Sequence, residues 1–169
     1  VDVIGQTFVQ AGGALQVKGS LAQRNGTFRL TGDALSGNPV RVFTATLDLA
    51  SPAAGHFVIR DMGNTLIGKV ASDQTLVVGG DNYSGNASLT TVNNLINYGQ
   101  IILDSADQDW SSELRLPSGK TLTNFGVVTA NAGTGGHRYL YRSLINKGTL
   151  NVDADTSLME GSYTNAAYG

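Results

Sequence analysis

The chain has 169 residues, of which 14% are charged, with 11 basic and 13 acidic side chains and a net charge of −2. This near balance offers no basic surface for the phosphates of a nucleic acid or for an anionic membrane, so we expect neither partner. The chain has no cysteine, which excludes a disulfide framework, a thiolate metal site and a cysteine nucleophile. Membrane insertion is not expected, because no apolar run reaches the ~20 residues that a spanning helix needs.

Residue usage and short alternating runs indicate strands rather than helices. The acids are 11 Asp and only 2 Glu, and Asp favours turns whereas Glu favours helices. Apolar and polar residues alternate in many short runs that are separated by turn residues. Clear examples are 14–17, 27–30, 40–43, 46–49, 57–59, 75–78, 101–103, 113–116 and 149–152. Their length suits strands and is too short for helices, so we expect an all-β fold.

The segment 137–147 is the best helix candidate, because Leu140 and Leu144 have the spacing of one helical turn. It lacks a capping pattern, however, and glycines flank it, with Gly136 directly before it and Gly148 directly after it. We therefore predict strand structure here as well.

A pattern Leu-x-Asn-x-Gly-x-apolar occurs three times in the second half of the chain. The copies are 95–101, 122–128 and 144–150, and their glycines lie 27 and 22 residues apart. The constant Asn and Gly residues are Asn97, Gly99, Asn124, Gly126, Asn146 and Gly148. We predict that they form the corners of successive coils, because Asn and Gly tolerate the left-handed backbone of a tight turn.

Stacked copies of such a unit bury an apolar face that one copy cannot bury alone. Asparagines at the same corner of each coil can also hydrogen-bond to one another and form a ladder. With 22–27 residues per coil, the chain would make about seven coils. At a strand spacing of ~4.8 Å these coils would form a rod about 30–35 Å long. The pattern therefore predicts a parallel β-helix.

A β-sandwich or jelly roll is the alternative architecture. Short strands that follow one another every 8–12 residues or so, with turn signals between them, also fit it, above all over residues 1–60. The recurrence of Asn-x-Gly favours the solenoid.

The three repeats resemble those of bacterial haemagglutinin-like adhesins and other giant secreted surface proteins. The resemblance covers residues 89–165, whereas residues 1–88 fit it only loosely. It implies a right-handed parallel β-helix that forms one domain over 1–169. It also implies an origin in a longer extracellular protein, with the neighbouring domains of that chain as partners. That family shares no catalytic residues, so none is expected here.

An acidic stretch interrupts the second repeat and explains its longer spacing. Asp104, Asp107 and Asp109 place three carboxylates within six residues. Carboxylate oxygens are the ligands that Ca²⁺ prefers, so the sequence offers a calcium site here. The alternative is a solvated acidic loop.

Trp110, the only tryptophan, follows that stretch directly. An exposed indole is a platform for the apolar face of a sugar ring, and nearby carboxylates accept hydrogen bonds from sugar hydroxyls. The alternative is a tryptophan that folds back as a lid over a coil.

The stretch 131–142 gathers further candidate carbohydrate contacts, which are His137, Arg138, Tyr139 and Arg142. A pair of arginines can bind a carboxylate or sulfate group on a polysaccharide. In a strand, Arg138 and Arg142 share one side, whereas His137, Tyr139 and Tyr141 share the other. The alternative is a solvated face beside an aromatic stack.

Together these features predict a non-catalytic extracellular module of the bacterial cell surface, a stalk or surface-contact domain. Its lateral loops would contact a polysaccharide or a cell-surface glycan. One alternative is a carbohydrate-binding module with a calcium-assisted sugar site. A second is a β-helix polysaccharide lyase or glycoside hydrolase, which the charged fraction of 14% disfavours because such sites need several acidic and basic groups.

Overall fold

The chain forms an all-β right-handed parallel β-helix in a computed structural model that describes residues 1–107 and 109–166. This part of the chain contains 22 strands and no helix, so none of it supplies an apolar helix that could cross a membrane. Strands pair in parallel with their counterparts in the neighbouring coils. This stacking rules out the alternative of a β-sandwich or jelly roll, which would need antiparallel pairs.

Most coils contribute three strands, and the third and fourth contribute two each. The first four coils contain β1 (Asp2–Ile4), β2 (Thr7–Gln10), β3 (Leu15–Val17), β4 (Leu21–Arg24), β5 (Thr27–Leu30), β6 (Leu35–Gly37), β7 (Val40–Phe43), β8 (Thr46–Leu49), β9 (Gly55–Arg60) and β10 (Asn64–Gly68). The last four contain β11 (Gln74–Gly80), β12 (Ala87–Thr91), β13 (Leu95–Asn97), β14 (Gln100–Ser105), β15 (Ser112–Arg115), β16 (Thr121–Asn124), β17 (Val127–Ala130), β18 (Arg138–Tyr141), β19 (Ser143–Asn146), β20 (Thr149–Val152), β21 (Thr156–Met159) and β22 (Tyr163–Asn165).

The strands form three faces along the rod. The first face has eight strands in the order β1-β4-β7-β9-β11-β14-β17-β20, and the second has eight in the order β2-β5-β8-β10-β12-β15-β18-β21. The third face is interrupted, with β3 and β6 near its start and the four-stranded sheet β13-β16-β19-β22 near its end. The segment 137–147 is strand, as predicted, since β18 and β19 are separated only by a bend at Arg142.

The structure has eight coils, close to the seven that the repeat spacing predicts. Coils in the first half are shorter than the repeats, because Leu21 pairs with Val40 and Val40 pairs with Phe57, steps of 19 and 17 residues. In the second half Ile101 pairs with Val128 and Val128 pairs with Leu150, steps of 27 and 22 residues. The difference explains why residues 1–88 match the repeat pattern only loosely.

The core consists of apolar side chains that stack in columns inside the rod. One column on the first face runs through Val40, Phe57, Leu76, Ile101 and Val128, each at most 1% exposed. Burial of such a side chain contributes roughly 1.5–3 kcal/mol relative to exposure. The rod is therefore stabilised continuously along its length rather than at one central cluster.

The repeat asparagines form the predicted ladder inside the corner that leads from the third face to the next coil. Nδ2 of Asn97 donates to Oδ1 of Asn124 at 2.7 Å, and Nδ2 of Asn124 donates to Oδ1 of Asn146 at 2.7 Å. Asn146 donates in turn to Oδ1 of Asn165 at 2.9 Å. The first three of these side chains are at most 4% exposed. The constant Asn therefore satisfies buried polar groups from coil to coil.

The repeat glycines are needed for a reason other than the predicted one. The prediction of left-handed backbone is wrong for Gly99, Gly126 and Gly148, none of which has a positive φ. Instead, a Cβ on Gly126 would lie 2.2 Å from the carbonyl oxygen of Gly99, and a Cβ on Gly148 would lie 2.2 Å from that of Gly126. Glycine is required here because the backbones of successive coils approach too closely for any side chain.

Candidate functional site

The corners between the first and second faces change length along the rod. Coils one to three turn within two residues, at 5–6, 25–26 and 44–45. In coils five to seven the same connections lengthen to 81–86, 106–111 and 131–137. The described residues of these three loops, 81–86, 106–107, 109–111 and 131–137, form a projection that we call the ledge. The ledge holds or adjoins all the binding residues that the sequence predicts.

Asp81 organises the first loop of the ledge. Its Oδ1 accepts the backbone N–H groups of Tyr83 at 3.1 Å and Ser84 at 2.8 Å, and its Oδ2 lies 3.2 Å from Nε of Arg60. Burial alone would raise the pKa of Asp81, but hydrogen bonds from the Ser84 side chain and backbone, together with the Arg60 charge, hold that pKa below its usual value. The ionised carboxylate therefore anchors this loop to the first face.

Trp110 connects the three loops of the ledge. Its indole Nε1 donates to Oδ1 of Asn82 at 3.1 Å, and its ring lies against Gly85, where an added Cβ would be 3.5 Å away. On the other side, a Cβ on Gly136 would lie 2.2 Å from the carbonyl oxygen of Trp110. The half-buried indole thus packs inside the ledge, which is the lid arrangement, and it is not an exposed platform for a sugar ring.

The three predicted calcium ligands do not converge. Oδ1 of Asp104 accepts the N–H of Ser105 at 2.8 Å, and Oδ2 of Asp107 accepts the N–H of Asn82 at 3.4 Å, whereas Asp109 is exposed. Among residues 1–107 and 109–166, no group of three or more His, Asp or Glu side chains is placed to hold a metal ion. The calcium site therefore stays a prediction from the sequence alone, and these residues fit a solvated acidic loop.

A row of aromatic rings lies beside the ledge on the outside of the second face. His137, Tyr139 and Tyr141 alternate with buried residues along β18, so their rings point outward together. The ring centroids of His137 and Tyr139 are 4.5 Å apart, and those of Tyr139 and Tyr141 are 5.9 Å apart. The guanidinium of Arg115 lies 3.9 Å from the centre of the Tyr141 ring. We call these four residues the aromatic strip.

The register between coils assembles the charged end of the aromatic strip. Arg115 on β15 is the pairing partner of Tyr141 on β18, and Glu113 is the partner of Tyr139. Nε of Arg115 lies 2.6 Å from Oε2 of Glu113, and this hydrogen bond is the main cause that raises the pKa of Arg115. The guanidinium is therefore held flat over the Tyr141 ring, which gives the strip a fixed cation.

The two arginines that the sequence pairs as an anion site are not together on the surface. Arg138 points inward and is fully buried, where Nε donates to the carbonyl of Asn131 and Nη2 to that of Ala132, both at 3.0 Å. Burial lowers the pKa of Arg138. Arg142 lies in the bend before β19 and is ion-paired with Glu160. The prediction that Arg138 and Arg142 form a surface pair is therefore wrong, because one of them supports the ledge from inside.

One pair in the aromatic strip has the distance of a nucleophile and its base. Nε2 of His137 lies 2.8 Å from Oγ of Ser157 on the neighbouring strand β21. Within residues 1–107 and 109–166, no carboxylate hydrogen-bonds to His137 to orient it, as a Ser-His-Asp triad requires. The pair also lies on an open sheet face rather than in a cleft that would exclude water. Its chemistry is that of a polar contact point.

Arg115 and Ser157 are the members of this surface that sequence analysis missed. They lie 22 residues before His137 and 20 residues after it, and only the register brings them to the strip. The alternation along β18 was the one signal available, and it does place His137, Tyr139 and Tyr141 on a common side.

The fold and this surface define a β-solenoid with a lateral aromatic contact face. Comparisons with family models, with curated proteins and with solved structures give no significant match. The resemblance to haemagglutinin-like repeats therefore stays a prediction, and the architecture is established by the structure.

Proposed function

We propose that this chain is a non-catalytic structural and adhesive module that acts outside the bacterial cell and contacts carbohydrate through its aromatic strip. The observation that carries the proposal is the outward row His137–Tyr139–Tyr141 with Arg115 fixed over its last ring. Aromatic rings offer a flat apolar surface to the C–H face of a sugar, and polar groups at their edges reach its hydroxyls.

Rigidity supports the structural part of this proposal. The core columns and the asparagine ladder run through successive coils, so each coil is held by both neighbours. Such a rod keeps a lateral surface at a fixed distance from whatever anchors its ends. A stalk requires this property, and an adhesive surface benefits because little ordering is left to occur on binding.

The polar groups around the aromatic strip support carbohydrate as its ligand. Ser157 and His137 supply a hydroxyl and a ring nitrogen at one end, and Arg115 supplies donors at the other. The strip is open and follows the strand direction, which suits a chain of sugars better than a small molecule that needs enclosure. The lone His137–Ser157 pair favours binding over hydrolysis.

A glycan array tests this proposal with the intact chain and two variants. We expect wild-type protein to bind one class of glycan and the Tyr139→Ala/Tyr141→Ala variant to lose that binding. Tyr98→Ala is the matched control, because Tyr98 is 45% exposed and stacks on another aromatic ring but lies on the third face. The bound glycan should be recovered with unchanged mass. Shortened glycan would show an enzyme, and no binding would leave only the stalk.

A further inference from the structure

A groove crosses the outside of the first face along β7, on a different side of the rod from the aromatic strip. It consists of two clefts of about 230 and 360 Å³ that share Arg41. The smaller begins beside Pro39 at the start of β7, and the larger ends beneath Tyr83 of the ledge. The neighbouring strands form low sides, because the pairing partners of Arg41 are Ala22 and Val58, which are 2% and 8% exposed.

Arg41 is the one arginine of this groove with an unsatisfied charge. Arg24 pairs with Asp2 at 3.3 Å and stacks 3.9 Å from the Phe43 ring, and Arg60 on the adjacent strand pairs with Asp81. Arg41 is exposed, and within residues 1–107 and 109–166 it has neither a hydrogen-bond nor an ion-pair partner. The middle of the groove therefore carries a positive charge that a ligand can neutralise.

The end of the groove carries an aromatic platform and hydrogen-bond acceptors. The Tyr83 side chain, at the tip of the first ledge loop, is 98% exposed. Asp61 lines the same cleft, and its carboxylate is held in place by Thr44 Oγ1 at 3.2 Å and by the N–H of Met62 at 2.7 Å. A carboxylate accepts hydrogen bonds from hydroxyl groups, and a tyrosine ring packs on the apolar face of a sugar.

We infer that this groove binds a sugar chain that carries carboxylates, with one carboxylate on Arg41 and a neighbouring sugar ring against Tyr83. The fork of a guanidinium matches the two oxygens of a carboxylate. A densely sulfated chain fits less well, because Asp61 and Asp81 line the same cleft and would repel its extra charges. The inference goes beyond the proposed function, since the groove and the aromatic strip lie on different faces.

The test is a calorimetric titration of the intact chain with tetragalacturonate and with its methyl ester, which has the same backbone without the charges. We expect binding of the acid and at least roughly tenfold weaker binding of the ester, the scale of one charge-assisted hydrogen bond. Arg41→Gln should weaken binding of the acid by a similar factor, and Tyr83→Ala should weaken it as well. Arg29→Gln is the matched control, because Arg29 is an exposed arginine of the second face.

Several results would overturn the inference. They are equal binding of acid and ester, equal loss in Arg41→Gln and Arg29→Gln, or binding of dextran sulfate alone. The Tyr139→Ala/Tyr141→Ala variant should bind tetragalacturonate as wild type does, and Arg41→Gln should keep the array binding of the aromatic strip. A failure at the groove is thereby distinguished from a failure of the proposed function.

Discussion

The side-chain amide of Asn124 donates a hydrogen bond of 2.7 Å to Oδ1 of Asn146 in the next coil. The same amide donates to the carbonyl of Thr149 at 2.9 Å, and Oδ1 of Asn124 accepts from Asn97 in the preceding coil. Asn124 is fully buried, and all its side-chain hydrogen-bonding atoms have partners. One asparagine therefore connects three successive coils.

Replacement of that asparagine should destabilise the rod strongly. Asn124→Ala leaves the amide of Asn97 and the carbonyl oxygen of Asn146 without their partner inside the corner. We expect the free energy of unfolding to fall by about 2–3 kcal/mol, measured by urea denaturation. Asn151→Ala is the control, because Asn151 is exposed, and it should change stability by less than about 0.5 kcal/mol. Similar losses in both variants would contradict the role of the ladder.

A single methyl group at a repeat glycine should also be costly. In Gly126→Ala the new Cβ would lie 2.2 Å from the carbonyl oxygen of Gly99, so the coils must separate locally. We expect a loss of about 1–3 kcal/mol in thermal or urea unfolding. Gly12→Ala is the control, because nothing lies within 4 Å of its added Cβ and its φ is not positive. If both variants were equally stable, close backbone approach could not explain the repeat glycine.

Trp110 should behave as a structural residue of the ledge. Trp110→Ala removes the contact with Gly85 and the hydrogen bond to Asn82. We expect a loss of about 2 kcal/mol, below the range for a fully buried tryptophan because the ring is half-buried. Amide hydrogen exchange should become faster in the ledge and stay slow in the core strands. Unchanged stability combined with lost glycan binding would instead make Trp110 a sugar platform.

The ion pair at the base of the ledge should make stability depend on pH. The pKa of Asp81 is lowered in the folded chain, so its contribution is complete above the unfolded value of about 3.9 and disappears as the pH falls below it. We therefore expect wild type to lose more stability than Asp81→Asn between pH 6 and pH 3, values chosen to bracket about 3.9. Parallel curves from urea denaturation for the two proteins would show that Asp81 is not held as described.

The architecture could be predicted from the sequence because the repeat residues act locally. Asn124 and Gly126 occupy one corner, and their spacing sets the length of a coil without knowledge of any distant contact. The binding surface could be predicted only in part, because it depends on register between coils. Arg115 reaches Tyr141 only when β15 and β18 pair in the observed register, and alternation alone could not show this.

Arg138 shows why residue type was misleading in the same region. Arginine is almost always exposed, so the pattern suggested a surface anion site. The long loop 131–137 instead folds back and turns the carbonyls of Asn131 and Ala132 toward the guanidinium. The conformation of that loop was not encoded in any periodicity, since its glycines leave the backbone unrestricted.

The most direct test of the account is ¹⁹F NMR of the chain labelled with 3-fluorotyrosine at its six tyrosines, with signals assigned by single Tyr→Phe variants. The glycan that the array identifies is added until saturation. We predict that the signals of Tyr139 and Tyr141 shift together, while those of Tyr98 and Tyr163 stay unchanged. Unchanged Tyr139 and Tyr141 signals at saturation, or new reducing ends in the glycan spectrum, would contradict a non-catalytic contact through the aromatic strip.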